Sequence, residues 1–300
     1  MKFVFCSDPL DPTRVEEDFA DEYSAARNAG FDTTLLDFDR IKDGRDASIT
    51  TRRIPVSDCV VKAMYRGWML TPDEYRLLYD VLWKKNIRLI NSPEQYEATH
   101  CLPAYYSLIE NSTPESVWLH PTESQDIRHL MKVLELFHGD AVIVKDYVKS
   151  CKHAWDDACY IPDSSSQSEV ARVVAGFLER QGEDLNGNLV FRRYHKFEPI
   201  GVHPKSGLNL TREYRLFVYG GEVAGCFPYW SKVDYDGISP PVSALQSLIQ
   251  QIGSTFFTMD IARTVDGEWM IVELGDGQVS GFPDIEAIRK FYGWLKANSQ

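Results

Sequence analysis

The stretch Phe256-Phe257-Thr258-Met259-Asp260-Ile261-Ala262-Arg263, then Asp266-Gly267, then Trp269-Met270-Ile271-Val272-Glu273-Leu274, decides how this chain is read. Asp266-Gly267 is a strong two-residue turn signal of the type I′ kind, and the flanking apolar runs read as the strands of one hairpin. Counting outward from that turn sets Asp260 directly opposite Glu273, and directly opposed residues share a face of the sheet. Two carboxylates facing each other in an otherwise apolar hairpin repel, and neither is at ease near a core. A divalent cation between them reverses the sign of that interaction. Oxygen-only ligation suits magnesium held jointly with phosphate oxygens. Asp276, three residues beyond Glu273, offers a third oxygen or is a turn residue. The competing reading frays one strand end into solvent or slips the register.

Upstream, the punctuation predicts a mixed α/β chain. Lys2 to Cys6 reads as a buried strand, Glu16 to Ala29 as a helix closed by Gly30, and Thr33 to Phe38 as a second strand, an opening typical of a parallel sheet covered by helices. Val60 to Tyr65 and Ile87 to Ile90 continue it. Thr71-Pro72-Asp73-Glu74 and Ser92-Pro93-Glu94-Gln95 are capping boxes with proline at the first helical position. Beyond about residue 105 the rhythm changes. Thr122 and Gln125 bracket a further box before a helix face of Ile127, Leu130, Met131 and Leu134, and Ser166 with Glu169 starts another helix. Strands are expected at Ala141 to Val144 and Leu189 to Tyr194, and a hairpin at Glu213 to Tyr219 and Glu222 to Phe227. A last helix runs from Asp284 to Leu295.

Cations sit at telling places in this scheme. Lys145 ends the apolar run Ala141-Val142-Ile143-Val144, where a lysine either snorkels to water or meets an anion. The donor-rich loop after it holds Lys149, Ser150, Lys152 and His153, which suits a polyphosphate or makes a solvated basic loop. Of the adjacent Arg192 and Arg193, one must point to the less exposed face of its strand. Arg215, on an apolar strand, wants a carboxylate or phosphate for its fork, and a salt bridge with Glu213 or Glu222 is the plain alternative.

The order of these parts resembles the ATP-grasp superfamily. Val144-Lys145 is similar to its phosphate-binding strand, Phe191 to Glu198 to the linker that holds adenine and ribose, and Met259-Asp260 with Val272-Glu273-Leu274-Gly275-Asp276 to its metal-binding end. Tyr65-Arg66-Gly67-Trp68-Met69-Leu70, Leu89-Ile90-Asn91-Ser92-Pro93 and Glu213-Tyr214-Arg215 are similar to one clade, named for two arginines and a lysine. The resemblance implies a parallel α/β pre-ATP-grasp-like domain over 1–105 and an ATP-grasp domain over 106–300, more α+β in character, with a lid roughly over 125–194. It implies ATP and Mg²⁺ as cofactors. Lys145, Lys149, Ser150, Phe191, Arg192, Arg193, Tyr194 and Glu198 are then expected on the nucleotide, and Asp260, Glu273 and Asp276 on the metal. Gly275 stands where most members have asparagine, and Tyr147 to Ala154 lacks the glycines usual in the phosphate-covering loop.

The activity so implied is ATP-dependent joining of an acid to an amine through an acylphosphate. Lys145 and Arg215 are the expected catalytic residues, Arg66 holds the substrate carboxylate, and Tyr96 and His100 line its pocket. A nucleotide-binding module that acts through protein partners, and a kinase-like phosphotransferase, are the rival classes. Small molecules, peptides and a protein terminus stay open as substrates. With 300 residues, two domains are expected, and a net charge of −12 argues against a nucleic-acid coat or an anionic-membrane binder. No apolar run approaches the roughly 18 residues of a membrane span. The run Phe3 to Cys6 is too short for a signal-peptide core. Six cysteines without a paired spacing imply reduced thiols and a cytoplasmic protein.

Overall fold

Short apolar runs alternating with capped amphipathic helices build the first layer. The computed structural model describes residues 1–42, 47–120, 122–123, 126–202, 209–231 and 233–298. Strands β1 (Lys2–Cys6), β2 (Asp32–Leu36), β3 (Val61–Arg66) and β4 (Ile87–Leu89) form a parallel sheet in the order β2-β1-β3-β4. Alternation along β1 sends Val4 and Cys6 into one core with the helix Pro72–Trp83. Phe3 and Phe5 enter another, with the helices Ala20–Asn28 and Ile285–Asn298. The closing helix thus packs on the opening sheet. Both predicted capping boxes form: Thr71 accepts from the Glu74 amide and Ser92 from the Gln95 amide, each answered by the reciprocal bond.

A second sheet is antiparallel, in the order β5-β8-β6-β7, from β5 (Ser116–Leu119), β6 (Val142–Lys145), β7 (Tyr160–Ile161) and β8 (Leu189–Arg193). Its core takes one face of the helices Ile127–Leu134 and Gln167–Gln181. Asp126 caps the first of these helices, not the expected Thr122 box, whose Gln125 lies outside the described residues. Ser166 makes no side-chain cap on the second. Strand β5 was not expected; it begins at Ser116, ahead of residue 125, where the lid was expected to start.

Strands β9 (Pro199–Val202) and β10 (Asn209–Thr211) form a small ribbon. The third sheet has the order β12-β11-β13-β14, from β11 (Glu213–Tyr219), β12 (Glu222–Pro228), β13 (Phe256–Arg263) and β14 (Trp269–Asp276). One face, carrying Leu216, Val218, Phe257, Met259 and Leu274, buries against the helices Leu102–Ile109 and Val242–Ile249. The other carries Glu213, Arg215, Asp260 and Glu273 toward the second sheet, and Phe217 and Phe256 toward the closing helix.

The hairpin that decided the reading reaches its register by a different route. Thr264 and Glu268 close a three-residue loop, Gly267 alone takes the left-handed conformation (φ 91°), and Asp266 does not, so the turn is not type I′. That shifts the pairing by one residue, to Ile261↔Ile271. A bulge between Asp260 and Ile261 shifts it back, and Asp260 faces Glu273 after all.

Candidate active site

Asp260 is 1% exposed, and its cross-strand neighbour on β11 is Arg215. The guanidinium answers with both arms of its fork: Nε to Oδ1 at 2.8 Å and an η-nitrogen to Oδ2 at 2.7 Å. The other η-nitrogen donates to the Gly281 carbonyl at 3.0 Å, and the group lies 4.9 Å from the Tyr229 ring centre. Burial alone would lower the Arg215 pKa; the charge and hydrogen bonds of Asp260 reverse that and hold it above its ordinary value.

Glu273 keeps about a third of its side chain exposed (34%) and meets Lys145 Nζ at 3.5 Å. Lys145 itself is 4% exposed at the end of β6, and burial lowers its pKa against the pull of Glu273. Glu273 moves the opposite way: burial would raise it, but Lys145, Lys152, Arg215 and Arg192 together hold it below the usual carboxylate range. Two residues along β11 from Arg215, Glu213 is buried, and desolvation pushes it to about 7 although Lys152 pulls it down. Lys152 is solvent-exposed at this cluster. Glu213 and Glu273 outweigh its loss of hydration and raise its pKa. The sheet alternation that puts Glu213 beside Arg215 was readable in the sequence, where Glu213 was weighed only as a salt-bridge partner.

The arginine pair on β8 divides as strand geometry requires. Arg192 turns inward, 3% exposed, hydrogen-bonded to the Thr113 hydroxyl, with its Nε lacking a hydrogen-bond partner among the described residues. Arg193 turns away to Glu115 at 2.7 Å and to Asp140. The loop after Lys145 is tight without glycine because Asp146 pins it. Its Oδ1 accepts from the Val148 amide at 2.6 Å and from that of Lys149, and its Oδ2 accepts from the Asn186 amide at 3.1 Å. Ser150 bridges back to Lys145, and Lys149 is exposed beside a cavity.

Asp276 is not at this cluster, and Phe191, Glu198 and Tyr194 have partners of their own. Asp276 pairs with Phe257 on the opposite face of the sheet, fully buried, where it accepts from Asn91 and from the Gln278 amide at 2.9 Å. An odd offset from Glu273 turns the side chain over, so the structure does not bring it to Asp260 and Glu273. Gly275 is on the right face, but a Cβ there would come within 2.8 Å of Thr258 Oγ1 and 2.9 Å of Ser280 Oγ. Phe191 has its side chain wholly within the core of the second sheet. Glu198 is engaged by Arg212 at 3.0 Å and Arg263 at 2.8 Å, and these bonds hold its carboxyl below the usual range. Tyr194 stands edge-on to Tyr160 at 5.1 Å and to Trp155 at 5.8 Å.

Arg66 ends β3 and is 1% exposed. Glu22 takes its Nε and one η-nitrogen, and the carbonyls of Gly277 and Ser280 take the rest. Four of its five N–H groups are thus spent inside the protein, and one η N–H has no hydrogen-bond partner among the described residues. Tyr96 stacks on Tyr75 at 4.0 Å and bonds the Leu70 carbonyl at 2.7 Å. His100 lies 4.7 Å from the Tyr96 ring, 4% exposed, in the wall of the cavity.

A divalent cation bound together with phosphate needs only one or two carboxylates. Among the described residues no group of three or more His, Cys, Asp or Glu side chains is placed for a metal. The partly exposed Glu273 and the facing Asp260 fit the lighter requirement, although Arg215 takes both oxygens of Asp260. No helix among the described residues is long and apolar enough to cross a membrane.

Solved structures share this fold. The RimK domain ATP-grasp protein from Sphaerobacter thermophilus DSM 20745 aligns with a TM-score of 0.60 and 13% identity over 99% of this chain and 98% of its own. D-cycloserine synthetase DcsG aligns at 0.62 and 14% over 100% of both chains. ATP-grasp ligase PsnB, complexed with precursor peptide PsnA2 and AMPPNP, aligns at 0.56 and 13% over 100% of this chain and 97% of its own. No curated protein matches the sequence. Residues 138–295, more than half of the chain, match the family described as ATP-grasp domain, R2K clade family 3, and the chain belongs to it.

Proposed function

We propose that this ATP-grasp chain is an ATP-dependent carboxylate–amine ligase that forms an amide through an acylphosphate. The reading is carried by the charge cluster at the end of the third sheet. There Lys145, Arg192, Lys152 and Arg215 outnumber the ionised carboxylates Asp260 and Glu273, with Glu213 held near neutrality by burial. Buried Lys145 and Arg192, with partly buried Arg215 and exposed Lys152 beside them, suit a polyphosphate, and phosphoryl transfer asks the protein mainly for position and charge. Family membership and neighbours titled as a synthetase and a ligase favour the same class.

In this reading Lys145 and Arg192 hold phosphate oxygens, with Lys152, Lys149 and Ser150 from the adjoining loop. Arg215 meets charge that builds on the transferring phosphoryl group. Tyr194 and its neighbouring rings would border the base. Glu273 and Asp260 would hold Mg²⁺, which neutralises phosphate charge when bound. An oxygen of the acid attacks the γ-phosphorus, the bond to the bridging oxygen breaks, and ADP leaves. The amine nitrogen then adds to the acyl carbon, phosphate departs, and the surplus proton passes to solvent.

The test is ADP release with Mg-ATP and a pool of amino acids and dipeptides, the product identified by mass spectrometry. Lys145→Ala and Glu273→Ala should each lower the rate by about 10²-fold or more. Near-normal turnover in both variants would sink the assignment. The full engagement of Asp260 by Arg215 favours one second reading, a module that binds nucleotide without turning it over. It predicts stabilisation by Mg-AMPPNP with no ADP released for any acid and amine.

A further inference from the structure

A cavity of about 780 Å³ opens between the first sheet's unit and the loops of the second. Phe19, Trp68 and Leu70 line one side, Glu183 and Asp184 the other, and His100 lies in its wall. Its strongest cations are already engaged. Arg66 is paired with buried Glu22 and spends four of its five N–H groups inside the protein, and Lys42 pairs with Glu74 at 2.9 Å. Among the described residues that leaves Lys149 against Asp18, Glu183 and Asp184, none of which forms an ion pair there. His100 is 4% exposed, and no hydrogen bond from a described residue reaches its ring.

We propose that this cavity binds the amine partner, as a primary amine with an apolar body and no free carboxylate, whose N–H donates to a ring nitrogen of His100. The fate of the amine rests on the ligase reading; its binding does not. Excess negative charge at a cleft mouth concentrates organic cations, and the volume is that of a small-molecule site. A ligand with a free carboxylate would set it against Glu183 and Asp184 with only Lys149 in compensation. Burial, with Lys149 and Lys145 nearby, keeps the imidazole neutral by pushing its pKa down to about 3. A lone pair is therefore available on the ring at neutral pH. His100 feels the charges of Lys149, Lys145 and Glu273, so the cavity lies within electrostatic reach of the proposed phosphoryl site.

Titration calorimetry on the full chain without nucleotide tests this, with L-phenylalaninamide and N-acetyl-L-phenylalanine as matched probes. The amide should bind and the acetylated acid should not. Glu183→Gln with Asp184→Asn, both on the exposed rim, should weaken the amide about fivefold, and salt near about 0.5 M should do the same. His100→Phe, which keeps a ring against Tyr96, should weaken it about tenfold. Preference for the acetylated acid, binding of neither probe, or amide binding indifferent to all three substitutions would overturn the proposal. Amide binding in an enzyme that never releases ADP would keep the cavity assignment and remove the ligase reading. Amine-dependent ADP release unchanged in both variants would do the reverse.

Discussion

Replacing Arg66 by methionine separates a structural from a substrate role for this residue. The wild-type guanidinium is 1% exposed and bonds both oxygens of Glu22, the Gly277 carbonyl and the Ser280 carbonyl, and it packs 5.1 Å from the Phe282 ring centre. Methionine fills much of the volume but leaves Glu22, 5% exposed, as a buried carboxylate with the Tyr292 hydroxyl at 2.8 Å as its remaining donor. Removing one partner of a buried ion pair costs about 3–5 kcal/mol. At roughly 2 °C per kcal/mol for a chain of this size, the melting midpoint should fall on the order of 5–10 °C. Adding Glu22→Gln removes the stranded charge and should restore more than half of the loss, since replacing both partners of a buried pair is often nearly neutral. The assay is thermal unfolding of the four proteins of the cycle. A shift in Arg66→Met below about 2 °C, accompanied by lost activity, would refute the structural reasoning and return Arg66 to the substrate.

The remaining predictions concern protons. Burial raises Asp276 to about 7, against roughly 4 when unfolded. The native state therefore holds the extra proton between those values. The associated stability is complete below about pH 4 and lost as pH rises through 7. Asp276→Asn should flatten the melting midpoint between pH 4.5 and 8; an unchanged slope would contradict it. Glu213, pushed to about 7, lies beside the proposed phosphate site. An arriving polyphosphate should raise it further, so Mg-AMPPNP binding at pH 7 should take up a few tenths of a proton. Calorimetry in buffers of different ionisation enthalpy reads this, and the same uptake in Glu213→Gln would assign it to another group.

Local chemistry was the legible part. Thr71, Ser92 and the hairpin of Glu213 to Tyr219 with Glu222 to Phe227 act within a few residues, and each forms as its sequence implies. The Asp260–Glu273 pairing came out right although the turn did not, because a three-residue loop and a later bulge cancel. No local signal fixes a bulge from sequence. Asp276 shows the cost of treating proximity in sequence as proximity in space, since strand parity alone puts it on the other face from Glu273. The surroundings of Arg66, Glu198 and Phe191 were not legible for another reason. Their partners, Glu22 with Ser280, Arg212 with Arg263, and the core of the second sheet, come from distant segments.

The cluster at Glu273 resists a purely structural reading on energetic grounds. A buried ion pair adds little to stability over apolar groups of the same volume, so Arg215–Asp260 and Lys145–Glu273 are weak devices for holding two sheets together. Arg192 is worse: a buried guanidinium with one unpartnered nitrogen loses hydration without full return. The Arg66–Glu22 pair shows fuller matching in this same protein, with four of five guanidinium N–H groups and both Glu22 oxygens engaged. At Glu273 the matching is incomplete. Lys145 meets its carboxylate only at 3.5 Å, Lys152 stands exposed, and Glu213 is near half-protonation at neutral pH. Lys145 and Lys152 are thus cations short of a close anion among the described residues, and Glu213, when protonated, gives them none. A triphosphate supplies several at once, and a cation on Glu273 would then be needed to balance what it brings.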